Sequence, residues 1–100
     1  MRQVMVRYKV TPDRAAENEQ LIRAVYDELN RAQTTGIRYA TVVLDDGVSF
    51  IHIAAQDADT NPLLQLDAFQ EFQRNIGDRC DEAPVLSEFR QVGSYRLFGE

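Results

Sequence analysis

One cysteine, one histidine and no tryptophan in 100 residues leave this sequence few of the usual parts of a catalytic site. A lone Cys80 forms no intrachain disulfide, and its acidic neighbours Asp78, Asp81 and Glu82 raise a thiol pKa rather than activate it. A single imidazole without a second His or Cys at ligand spacing does not supply a zinc set. The acid clusters Asp57/Asp59 and Asp78/Asp81/Glu82 lack the central glycine and terminal glutamate of a calcium loop. No glycine-rich phosphate loop, serine elbow or Cys–His pair is present. The expectation is therefore no metal and no other cofactor. No apolar run approaches the length of a membrane span, and the opening Met1–Val6 lacks a continuous apolar leader core, so the expected location is cytoplasmic and no membrane partner is expected. Sixteen acidic against eleven basic residues, a net charge of −5, disfavour nucleic acid, whose binding rests on Lys and Arg at phosphates. Arg2, Arg7 and Lys9 read as solvated strand charges.

What the chain does have is a hairpin. Between Ile37 and Ala55 two β-prone runs flank Asp46-Gly47, a dipeptide suited to the positive φ angles of a primed turn. Centring the turn there sets Val43 opposite Phe50, Val42 opposite Ile51 and Thr41 opposite His52. One face then carries Ile37, Tyr39, Thr41, Val43, Val48, Phe50 and His52, the other Ala40, Val42, Leu44, Ile51 and Ile53. Neither face reads as solvated, so both need covering, and two helices cover only one. That points to a second copy of the chain, a homodimer.

Val4 to Val10 alternates with period two and reads as a strand. Thr11 and Pro12 mark the start of a helix, with Thr as cap and Pro at the first helical position, and Ile22, Val25 and Leu29 form its buried stripe. Gly36 is placed to end this helix in a left-handed conformation. After the hairpin and the polar loop from Gln56 to Thr60, Asn61-Pro62 starts a second helix with Leu66, Phe69, Phe72 and Ile76 on one side. Gly77 is expected to interrupt it, Pro84 to close the connection, and a last strand to run from about Ser87 to Phe98. The order βαββαβ is that of an α+β, ferredoxin-like fold. Right-handed crossovers give the strand order 4-1-3-2 with both helices on one face. Residues 1–100 read as a single domain. The more polar half of the hairpin, with Tyr39, Thr41 and His52, is expected to face the partner.

Val4-Met5-Val6-Arg7-Tyr8-Lys9-Val10 before a Pro-started helix, Leu66-Asp67-Ala68-Phe69-Gln70-Glu71-Phe72, and Glu82-Ala83-Pro84 leading to Val92-Gly93-Ser94-Tyr95 together resemble the dimeric α+β barrel superfamily. Within it, the chain is similar to the antibiotic biosynthesis monooxygenase-like family. The resemblance implies two sheets packed face to face and, for the active members, oxidation of phenolic or polycyclic ketone substrates by O₂ without metal or flavin. Such a substrate, once ionised, reduces O₂ itself, and the protein supplies a dry pocket and a proton acceptor. Haem-degrading relatives use a Trp and an Asn on strands and a His on the second helix. This chain has no Trp, no Asn on its first strand and no His on its second helix, so haem degradation is not expected.

His52 has an ordinary pKa suited to proton abstraction near neutrality, and the hairpin register sets it beside Thr41 with Tyr39 further along the same face. His52 and Tyr39 are the catalytic candidates. Tyr8 and Tyr95, expected on adjacent strands, together with Thr41 and Arg38, are the candidates for binding a small aromatic ligand. Arg38 and Ser49 are expected on the helix side. A histidine on an apolar strand also serves as a plain hydrogen-bonded core residue, which leaves a non-catalytic module binding a small ligand or a protein as the alternative.

Overall fold

A computed structural model describes residues 1–57 and 60–97. Strand β1 (Arg2–Val10) leads through a 3₁₀ turn (Pro12–Arg14) into α1 (Ala15–Ala32). Strands β2 (Ile37–Val43) and β3 (Ser49–Gln56) follow, then a 3₁₀ turn (Pro62–Gln65), α2 (Asp67–Gln73), the short α3 (Ile76–Arg79) and β4 (Cys80–Glu88). The strands form one antiparallel sheet in the order β2-β3-β1-β4, the expected order read from its other edge. This is an α+β, ferredoxin-like arrangement. Among the described residues no helix is long and apolar enough to cross a membrane.

The core lies between one sheet face and the helices. Tyr8, Val10 and Phe50 from the sheet meet Ile22 and Val25 of α1, Leu63 and Leu66 beside α2, and Phe69 and Phe72 on it. Each such apolar side chain contributes about 1.5–3 kcal/mol by leaving water. The opposite sheet face, with Met5, Ile51, Ile53, Ala40 and Val42, is only half-buried.

Which half of the hairpin faces the helices is the reverse of the expectation. Tyr39, Thr41 and His52 lie on the helix side, where Thr41 bonds Tyr26 of α1 and the His52 ring packs 5.3 Å from Phe72. Their polarity is met by internal hydrogen bonds rather than by solvent or a partner, and polar groups so paired can be buried. The hairpin register itself is as expected, with Thr41 opposite His52 and Val43 opposite Phe50. Its turn is longer than a two-residue one: Leu44 N–H donates to Ser49 C=O at 2.9 Å, Gly47 takes φ +76°, and the Asp46 carboxylate accepts from the Val48 and Ser49 amides.

The last strand is also earlier than expected. β4 ends at Glu88 and pairs Leu86 with Val6, Val85 with Arg7 and Ser87 with Met5. Pro84 does not close the connection but lies inside β4, tolerated because this is an edge strand with a register shift beside it. The alternation after Ser87 runs on without a neighbouring strand. Among the described residues after Glu88, only Phe89 N–H still bonds the β1 backbone, donating to Gln3 C=O at 3.0 Å, and Val92 and Tyr95 are 91% and 82% exposed. Phe98 lies outside the described residues.

The residues that bound the helices differ in part. Thr11 is extended and makes no capping bond through its side chain, and α1 ends at Ala32 with Gln33 (φ +49°), not Gly36, as its left-handed cap, while Gly36 (φ +83°) turns the chain into β2. The second helical region breaks at Arg74–Asn75, with Asn75 at φ +59°, and Gly77 sits within α3. Asparagine is one of the few side chains that adopts this conformation readily.

Candidate functional site

A cavity of about 610 Å³ opens between the helix-facing side of the sheet and the segment from Asn61 to Ile76. Val4, Val6, Ala54, Leu63, Phe69 and Leu86 make it largely apolar. His52, Tyr8 and Tyr39 also line it, and the strand register explains why they meet. His52 stands opposite Val6 on one side and Thr41 on the other. Tyr8 and Tyr39, each two residues further along, are thus its diagonal neighbours on the two flanking strands, within reach of a long side chain.

The two ring nitrogens are both engaged. Nε2 lies 2.8 Å from the Tyr8 hydroxyl, while Nδ1 lies 2.6 Å from the Tyr39 hydroxyl and 3.0 Å from Thr41 Oγ1. Tyr26 extends the chain with a 2.8 Å bond to Thr41. At the other end Asn18 Nδ2 donates to the Tyr8 oxygen at 2.9 Å, and Asn18 Oδ1 accepts from Arg79 Nε at 3.2 Å. Arg79 also donates to the carbonyls of Phe72 and Arg74.

The sense of these bonds follows from one residue. A guanidinium only donates, so the Asn18 atom facing Arg79 is the oxygen and the one facing Tyr8 is the nitrogen. Tyr8 accepts from Asn18 and its own proton goes to His52 Nε2. His52 is then the neutral tautomer with its proton on Nδ1, aimed at Tyr39 and Thr41. Burial disfavours the imidazolium and pushes the His52 pKa down to about 4. Burial also raises the Tyr8 and Tyr39 phenols above their ordinary value, although the Asn18 bond and then the Arg79 charge pull Tyr8 partly back. The arrangement is a neutral base hydrogen-bonded to two phenols in an apolar pocket. It can accept a proton through Tyr8. Among the described residues no three His, Cys, Asp or Glu side chains converge as a metal site would require.

No family model and no curated protein matches this sequence. Solved structures do. A candidate antibiotic biosynthesis monooxygenase from Nitrosomonas europaea superposes with a TM-score of 0.75 at 14% identity, over 93% of this chain and 100% of that one. Another from Caulobacter crescentus CB15 gives 0.69 at 22% identity, over 92% of this chain and 90% of that one. The chain has the antibiotic biosynthesis monooxygenase-like fold. A further N. europaea protein with this fold, of unknown function, gives 0.69 at 12% identity over 94% and 91% of the two chains. The monooxygenase-like fold is therefore shared by proteins with and without a named activity, and fold alone does not supply one.

Within this monooxygenase-like fold, His52, Tyr39, Thr41 and Tyr8 come together on the helix side of the sheet. Tyr95 and Arg38 do not join them. Tyr95 is in the segment after β4, not beside Tyr8, because the ladder with β1 is already filled by residues 80–88. Arg38 alternates to the opposite face, where it and Tyr95 line a separate groove of about 690 Å³ with Ile53, Ala55, Phe89 and Leu97. Ser49 is held in the turn, its hydroxyl donating to Asp46 at 2.5 Å. Asn18, Tyr26 and Arg79 were not among the candidates. Asn18 is legible in retrospect: it falls in phase with Ile22, Val25 and Leu29, a polar residue on an apolar stripe. Arg79, 2% exposed with only neutral acceptors, gives no such signal because the helix breaks between it and Phe72.

Proposed function

We propose that this protein is a cofactor-independent monooxygenase that ionises a phenolic or polycyclic ketone substrate in its cavity and lets it react with O₂. The observation that supports this is the neutral His52 joined to Tyr8 and Tyr39 at an otherwise apolar cavity. The substrate gives a proton to the Tyr8 oxygen while Tyr8 passes its own to Nε2. Tyr39 and Thr41 hold the Nδ1–H side of the ring. Oxidation of a ring methylene to a carbonyl then balances: both hydrogens leave with one oxygen atom as water, and the other oxygen stays on carbon. A base at about 4 is weak, so the substrate is one whose anion is widely delocalised, and the imidazolium formed is steadied by that anion. In this reading residues 1–100 are one domain of the monooxygenase-like kind, working in the cytoplasm without metal, flavin or haem. A second copy covers the bare sheet face.

Oxygen uptake with a panel of anthrones, hydroquinones and related phenols tests this. His52→Ala and His52→Gln should each lower turnover by a factor of about 10² to 10⁴, the usual cost of losing a general base. Unchanged turnover in both removes His52 from the mechanism. One observation favours a second reading: both imidazole nitrogens already have hydroxyl partners, as in a purely structural histidine. No uptake by the parent across the panel would leave a non-catalytic, ligand-binding module.

A further inference from the structure

Gln56 is the last residue of β3, on the same face as His52 and Ala54, and it lines the same cavity. It is only 5% exposed, yet among the described residues its side-chain amide has no hydrogen-bond partner. Every other polar side chain buried with it is satisfied within the protein: His52 by Tyr8 and Tyr39, Asn18 by Tyr8 and Arg79, Ser49 by Asp46, Arg79 by two carbonyls. Among the described residues no fully buried side-chain nitrogen or oxygen lacks a partner, so the Gln56 amide, unpaired there, is open to the cavity it lines, and a ligand that displaces its water must replace that hydrogen bond. Four residues along a strand separate Gln56 from His52 by roughly 13 Å, with Ala54, Val4 and Leu63 among the apolar lining. The cavity is thus polar at two points of one wall and apolar between. Arg2, the direct neighbour of Gln56 across the ladder, gives its Nε to the exposed Glu88 carboxylate, and Asn61 has its Oδ1 occupied by the Leu63 amide, leaving Nδ2.

We propose that Gln56 is a specificity-determining residue that binds an acceptor oxygen, a carbonyl, at the end of a flat fused-ring ligand distal to the hydroxyl held at His52. This rests on the proposed function only in taking the cavity as the ligand site. The ligand class it selects is a fused-ring phenol bearing a distal carbonyl.

Binding, rather than turnover, is the readout, using the intrinsic fluorescence of two probes: 2-naphthol, with no distal acceptor, and 6-acetyl-2-naphthol, with one. The parent should bind the acetyl compound about tenfold more tightly, the worth of one well-made hydrogen bond in a dry site. Gln56→Leu should erase that preference by weakening the acetyl compound alone, and should fold normally because no internal partner is lost. Gln56→Glu, which replaces the donor with a carboxylate, should weaken the acetyl compound further. Equal affinity for both probes in the parent, failure of either to bind, or a preference that survives Gln56→Leu in a folded protein overturns the proposal. Selective binding without oxygen uptake would sink the oxygenase reading and leave this one standing. Oxygen uptake indifferent to Gln56 would do the reverse.

Discussion

At the scale of single residues the molecule turns on a histidine kept neutral by its surroundings. The folded chain protonates His52 only near pH 4, against an ordinary value of 6.5. Its contribution to stability is therefore complete above about pH 6.5 and is lost as the pH falls towards 4, on the order of 3 kcal/mol in all. Urea midpoints measured across that window should fall with acid in the parent and much less in His52→Gln. On the proposed function, the acid limb of kcat/KM, which reports a free enzyme's base, should for the same reason lie near pH 4; a limb at 6.5 would mean that the imidazole is solvated. Asn18→Leu should cost about 1–3 kcal/mol by denaturant unfolding, since it takes an acceptor from the buried Arg79 and a donor from Tyr8. His52, Tyr39 and Thr41 could be brought together from the sequence because a hairpin register is a local matter. Arg79 and Tyr26 could not, since their roles depend on how α1 and the segment after α2 dock on the sheet.

At the scale of elements, the breaks decide where the site residues go. After α2 gives way to the extended Arg74, Asn75 at φ +59° redirects the chain so that the next four residues deliver Arg79 to the core. Asn75→Val should destabilise the fold by about 1–2 kcal/mol, the cost of a left-handed conformation for a residue with a Cβ, made worse by branching. Asn75→Gly should cost little, and thermal unfolding of the pair checks both. Strand order and the hairpin register were legible from period-two alternation and the Asp-Gly turn. The position of β4 was not, because alternation continues unbroken from Val85 to Leu97 and only the ladder with β1 selects which stretch is paired.

For the molecule as a whole, one sheet face packs on helices and the other does not. Met5, Ile51, Ile53 and Val42 on the second face are half-buried without helices over them, and the groove there runs along residues 89–97. An apolar surface of this kind is the usual mark of an association site. Light scattering in dilute solution should therefore give the mass of a dimer, and Ile53→Lys should shift it to monomer while leaving the far-ultraviolet spectrum intact. A well-folded monomeric parent would remove the paired-sheet assembly. That one sheet face would be left without helices was readable from the hairpin's composition, but which face it is was misassigned, because polarity alone does not distinguish a face met by solvent from one met by internal partners.

The chain's single histidine lines the cavity with one nitrogen turned to each flanking strand. It is consequently a built-in spectroscopic label. A ¹⁵N spectrum selective for imidazole contains one spin system, needs no assignment, and separates a protonated Nδ1 from a bare Nε2 by shift. A ligand that displaces Tyr8 moves one line, and a ligand that disturbs Tyr39 moves the other.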